Sequence, residues 1–150
     1  MKIKSFRGLI TNGGTDTVAL HTNNGSTGYR IKNLRILSAA PGVDTAELIF
    51  KIHTIDTAVS TTVDFSDQTL LAIAYFQNVP VHNSSAGQSP TQVIVFDDMT
   101  FNQDIYLQAS DVSGNAVSTN YYFELEQMPL ALDENTVATL KDIRNIVGNV

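Results

Sequence analysis

The sequence predicts an all-β protein, a two-sheet antiparallel sandwich of the jelly-roll kind with a short C-terminal helix. Three observations carry this. Apolar and polar residues alternate along short runs, most clearly over 104–110 and 120–127, as in strands with one buried and one wet face. Turn signals rich in Gly and Asn recur at 11–14, 23–26 and 113–115, because these residues tolerate tight-turn backbone angles. Helical spacing comes only at the end of the chain, which argues against the alternating strand–helix order of a parallel sheet.

The first strand covers Lys2 to Ile10, and the turn Thr11-Asn12-Gly13-Gly14 leads to a short strand at 17–21. After Asn23-Asn24-Gly25-Ser26 a strand runs from Tyr29 to Leu37. Ile31 and Leu34 fall out of phase there, so a bulge near Lys32-Asn33 is required to keep both inside. Beyond Pro41-Gly42, Ala46, Leu48, Phe50 and Ile52 share one face of a strand. Glu47, Ile49, Lys51 and His53 form its other face.

The Thr- and Asp-rich segment 57–67 is expected to hold an edge strand at 62–65. Residues 70–76 are nearly all apolar, as in a central strand covered on both sides by the second sheet or by a neighbouring subunit. An exposed loop at 79–90 precedes a strand at 91–96.

The segment Asp104–Gln127 reads as a hairpin turning at Gly114-Asn115. Ile105, Leu107 and Ala109 lie opposite Tyr106, Gln108 and Ser110 on its first arm. Tyr121, Phe123 and Leu125 lie opposite Tyr122, Glu124 and Glu126 on its return. The expected core contains Leu34, Leu48, Phe50, Ile52, Leu71, Val95, Ile105, Leu107, Phe123 and Leu125. Residues 1–132 make the sandwich domain, and 133–150 a helix or tail. Asp133 can cap the helix, and Val137, Leu140, Ile143 and Val147 recur at helical spacing. So short a helix needs a surface, its own domain or a neighbouring subunit, to lie on.

A chain of 150 residues, 43% hydrophobic, has material for one well-buried core. Charged residues are only 16%, against roughly 25% in ordinary soluble domains. A surface with few long charged stems loses little by desolvation when packed against copies of itself. The strand preference of Thr is an equal explanation. A net charge of −6 argues against a nucleic-acid partner, which requires a basic stripe. The cations cluster only as Lys2, Lys4 and Arg7, and as Arg30, Lys32 and Arg35.

Without Cys there is no disulfide and no thiolate chemistry. No apolar run has the length a bilayer requires, so no membrane partner is expected. The product is expected to be made and kept in a cytoplasm, unless it leaves by lysis or as part of a particle.

No catalytic, cofactor or metal residue is expected. His21, His53 and His82 lie in three separate regions, with His53 read as a solvent-facing strand residue and His82 as a loop residue. Asp97, Asp98 and Asp104, with Asp64 and Asp67, are read as turn caps. Calcium at Asp97, Asp98 and Asp104 stays open, although no Asp-x-Asn-x-Asn-Gly loop is present. No Ser has a Gly-x-Ser-x-Gly context, and no glycine turn leads into a phosphate-binding helix. Glu124 and Glu126 lie about 7 Å apart along one strand face, a spacing a glycosidase pair and a wet strand share.

The return strand Asn120-Tyr121-Tyr122-Phe123-Glu124-Leu125-Glu126 resembles that of small virion structural proteins of tailed bacteriophages. Lys4-Ser5-Phe6-Arg7-Gly8 and Tyr29-Arg30-Ile31-Lys32 add to the likeness, whose weight falls on the final third of the chain. The resemblance implies a capsid-associated role and no catalytic residues. The expected function is therefore a non-enzymatic decoration subunit on the capsid surface. Its expected partners are itself, as a homo-oligomer with a trimer favoured by analogy, and the major capsid protein. The alternatives are a tail or fibre-base component and a lectin-like carbohydrate-binding module presenting Tyr29, Tyr75, Tyr106 and Tyr122. The expected contact residues are Tyr106, Tyr122 and Glu124 on the hairpin, where the two tyrosines could form one patch, and Val137, Leu140 and Ile143 on the helix.

Overall fold

The computed structural model describes residues 2–22, 24–78, 91–96, 99–131, 138–140 and 142–143. His82, Asp97, Asp98, Asp133, Val137 and Val147 lie outside them, as does the expected loop at 79–90. Eight strands follow one another: β1 (Lys2–Ile10), β2 (Thr15–Val18), β3 (Thr27–Ser38), β4 (Ala46–His53), β5 (Leu70–Asn78), β6 (Gln92–Val95), β7 (Ile105–Asp111) and β8 (Thr119–Pro129). They make a three-stranded sheet in the order β1-β8-β3 and a five-stranded sheet in the order β2-β7-β4-β5-β6.

All pairs are antiparallel. The pairs β1·β8, β2·β7 and β4·β5 are rungs of one long ribbon, made by folding the chain back on itself. Rolling that ribbon up brings β8 beside β3 and β7 beside β4. Strand β6 touches β3, the partner the ribbon would give it, while its ladder bonds go to β5. This is the winding of a jelly roll.

Alternation explains why the sheets face each other. From β7, Ile105, Leu107 and Ala109 point inward and are buried, as are Tyr121, Phe123 and Leu125 from β8. Phe50 of β4 stacks on Tyr121 across the sandwich at 5.4 Å between ring centroids. Of the expected core residues, nine are buried and Val95 packs against them partly covered. The β3–β8 register shifts between Ile31 and Asn33, the bulge that the phase slip required. Gly8 is needed beneath Tyr121, because a Cβ there would sit 2.6 Å from the phenol oxygen. That hydroxyl donates to Asp16 Oδ2 of β2 at 2.9 Å.

Four expectations change. The segment Asp104–Gln127 is no hairpin, since β7 and β8 belong to different sheets and the connection arches between them. Asp111 holds the arch: its carboxylate accepts from the N–H groups of Glu47, Ser113 and Val117 at 3.1, 2.9 and 2.8 Å. Burial pushes the Asp111 carboxyl up, but those bonds and the Ser113 hydroxyl outweigh it and leave it below the ordinary value. Ala116, at a φ of 53°, takes the left-handed turn.

Residues 62–65 form no strand, and the second strand sits at Thr15–Val18 rather than 17–21. Finally, β5 needs no neighbour. Ile73, on its outer side with Lys51, is already buried within the single chain. Residues 138–140 and 142–143 are helical, and Asn102 Nδ2 donates to Thr139 Oγ1 at 3.0 Å, tying this helix to its own domain.

Candidate functional site

The outer face of the five-stranded sheet carries His53 opposite Tyr106 and Lys51 opposite Gln108. Segment 54–69, which has no strand, folds back over it. Lys51 Nζ donates to the Thr62 carbonyl at 2.5 Å. The Gln108 amide accepts from Ser60 N–H at 3.1 Å and donates to Thr57 Oγ1 at 3.0 Å. Together these groups wall a polar pocket of about 190 Å³.

His53 is buried, correcting its expected place in solvent. The Thr69 hydroxyl donates to Asp67 Oδ1 at 2.7 Å, so its oxygen accepts from His53 Nδ1–H at 3.2 Å. Nε2 is then the unprotonated nitrogen, buried and without a hydrogen-bond partner among the described residues. Burial, reinforced by Lys51, holds the imidazole below its ordinary value against the opposing pull of Asp67. Burial lowers Lys51 as well, and Asp67 again opposes it. Chemically, the arrangement is a roof pinned to a sheet by three polar side chains.

Among the described residues, no segment covers the outer face of the three-stranded sheet in this way. Cross-strand register sets Arg7, Tyr122 and Arg35 in one row, with Leu9, Asn120 and Leu37 in the next and Ser5, Glu124 and Asn33 on the other side. Leu9 is 56% exposed, Ile3 49% and Leu37 47%. Arg7, Leu9, Arg35, Leu37 and Tyr122 line a shallow open groove of about 620 Å³. Tyr122 donates to Glu124 Oε1 at 2.8 Å, a bond that raises the phenol. In the following row Glu126 is buried against Lys32 at 3.0 Å and Arg30 at 3.6 Å. Arg7 and Arg35 have no carboxylate within ion-pair distance among the described residues.

Tyr106 and Tyr122 therefore lie on opposite outer faces, and the expected joint patch does not form. Burial, then the charges of Asp104, Asp56 and Asp142, raise the Tyr106 phenol. Asp104 is a loop staple. It accepts from Leu20 N–H at 2.8 Å, His21 N–H at 3.0 Å and His21 Nδ1 at 2.7 Å. Burial pushes the Asp104 carboxyl up, but these bonds win and hold it below the ordinary value. Asp142 is pushed up by burial and by Asp104. Among the described residues no three His, Asp or Glu side chains converge to hold a metal.

On the helix, Leu140 is 60% and Ile143 50% exposed. Of the tyrosines of the carbohydrate-binding alternative, Tyr29 is in the core, stacked on Phe101, and Tyr75 donates to Glu47 Oε1 at 2.9 Å.

Sequence reasoning missed both outer faces as units. Leu9 and Leu37 fall on the wet phase of their strands, which was a usable signal for the bare face. The long strandless stretch after His53 was the signal for the roof. The chain matches no protein-family model, and no curated protein matches it.

Proposed function

We propose that this chain is a non-enzymatic structural subunit of a virion, a decoration protein that sits on the capsid surface as a homo-oligomer. The observation that carries the reading is the bare outer face of the three-stranded sheet. Three large apolar side chains stand about half exposed there, beside two arginines without ion-pair partners among the described residues. Exposed apolar groups set among unsatisfied charges mark a surface that is covered in the working assembly. The exposed Leu140 and Ile143 of the terminal helix support the same reading.

The groups that chemistry would draw on have structural work instead. His53, Asp67, Asp104 and Asp111 are each hydrogen-bonded to the protein's own loops. A trimer rests on analogy with the three-fold positions of icosahedral shells, and the second partner is the major capsid protein. Mass spectrometry of purified particles tests the role. Peptides of this chain at a constant ratio to the major capsid protein are expected, and their absence from infectious particles would sink it. Antibody labelling of intact particles then separates shell from tail or fibre base.

A further inference from the structure

We propose that the bare face of the three-stranded sheet docks onto the Tyr106 side of a second copy of this chain, with Arg7 and Arg35 meeting Asp56 and Asp142. This deepens the homo-oligomer reading above and rests on it.

Charge is segregated within the fold. Strands β1 and β3 hold six of the nine Lys and Arg residues, while β1, β3 and β8 together hold only two of the fifteen carboxylates. Lys2 and Lys4 take the inward phase of Phe6. Arg7, Arg30, Lys32 and Arg35 lie on the outer face, so a chain with net charge −6 sets four cations against two carboxylates there. Both acids of that sheet are already engaged, Glu124 by the Tyr122 hydroxyl and Glu126 by Lys32. Arg7 and Arg35 flank Tyr122 with no carboxylate in reach among the described residues.

On the other side, the charges of Asp104, Asp56 and Asp142 reach the Tyr106 phenol. Asp56 and Asp142 have no ion-pair partner among the described residues. Asp142 is partly desolvated and feels the like charge of Asp104, a pair that a cation would relieve. Each side also has apolar residues to bury, Leu9 and Leu37 on one, Leu140 and Ile143 on the helix that carries Asp142. Each side carries a tyrosine as well, Tyr122 between the two arginines and Tyr106 within reach of the aspartate charges, the residue that covers apolar area while keeping a polar end.

Two copies meeting through their basic faces would set arginine against arginine, which electrostatics opposes. The favoured contact is basic face to acidic side. Because these lie on opposite outer faces of the sandwich, the contact is heterologous, and each copy keeps one free half of it. Repetition closes into a ring or continues as an open stack.

The experiment is the mass of the full chain by light scattering across concentration, at low and high salt, with circular dichroism to check folding. Four proteins are compared: wild type, Arg7→Glu/Arg35→Glu, Asp56→Lys/Asp142→Lys, and the chain with all four changes. Wild type is expected at a multiple of 16.3 kDa, shrinking as salt screens the contact. Each double variant is expected to self-associate on the order of a hundredfold more weakly. The quadruple variant, with the charges exchanged, is expected to recover the wild-type mass, a rescue that mere damage to the fold would not allow.

An oligomeric wild type with an equally oligomeric Arg7→Glu/Arg35→Glu overturns this contact and leaves the homo-oligomer reading standing. A wild type that is monomeric at every concentration overturns both. Beside an oligomeric wild type, a folded quadruple variant that stays monomeric overturns Asp56 and Asp142 as the groups that meet the arginines.

Discussion

The two outer faces of the sandwich carry similar side chains and treat them differently. On the five-stranded sheet, Lys51, His53 and Gln108 are spent inside the molecule, each bonded to segment 54–69 or its end at Thr69. On the three-stranded sheet, Arg7 and Arg35 stand in the open on either side of Tyr122. A buried ammonium or imidazole has to find partners within its own chain, whereas an exposed guanidinium can wait for a partner from outside. The lesson concerns where function is to be sought. The buried polar cluster looks more like a site, with its orphan nitrogen and displaced titrations, yet its bonds account for it as a fastening. The plainer face, with nothing to account for it, is the better candidate.

The largest expected effect lies beneath both faces. Phe50 and Phe123 are fully buried in one core, so Phe50→Ala and Phe123→Ala are each expected to lower the unfolding free energy by about 3–5 kcal/mol in urea titrations. A loss at Phe123 several times smaller than at Phe50 would mean that the three-stranded sheet is only loosely attached.

The next effect separates the faces. Lys51→Ala and Gln108→Ala each remove a buried side chain's bonds to the more exposed roof and should cost about 0.5–1.5 kcal/mol per bond lost. Amide exchange at 57–62 should rise with it. Arg35→Ala breaks no ion pair among the described residues and should stay within about 0.5 kcal/mol. If Arg35→Ala proved as costly as Lys51→Ala, the contrast between a fastened and a free face would fail.

The smallest effect is a pH dependence that belongs to the roofed face alone. The folded-state value of His53 is depressed below 6.5. The unfolded chain therefore binds the proton first, and stability should fall as pH drops below about 6.5 and level off below the folded value. Thermal melting of His53→Gln should lack this slope. A second loss is expected below 3.8, where the depressed carboxyls of Asp104 and Asp111 are protonated, and it should persist in the variant. A His53→Gln profile identical to wild type between neutral pH and pH 5 would show that the imidazole is not held as the geometry requires.

Much of the architecture is local in origin, and so was legible in the residues. Alternation shows which side of each strand is dry, and Ile105, Leu107, Phe123 and Leu125 are buried as it requires. The slip between Ile31 and Leu34 likewise demanded the bulge that the β3–β8 register contains. Alternation is silent, however, about which strand lies alongside. A hairpin within one sheet and an arch between two sheets both put those residues on the dry side. Asp111 decided in favour of the arch, by gathering N–H groups from Glu47, Ser113 and Val117.

The same limit applies to the candidate site. The sequence by itself determined the class of fold, the inner faces and the crowding of Lys and Arg into two segments. It could not determine that those segments flank β8, which sets Arg7 and Arg35 on either side of Tyr122. Nor could it determine that a segment reaching 51 positions from Gln108 would roof the other face. A side chain's phase is set by its neighbours along the strand, but its cover and its charge partners come from segments distant in sequence, and only the tertiary structure decided those.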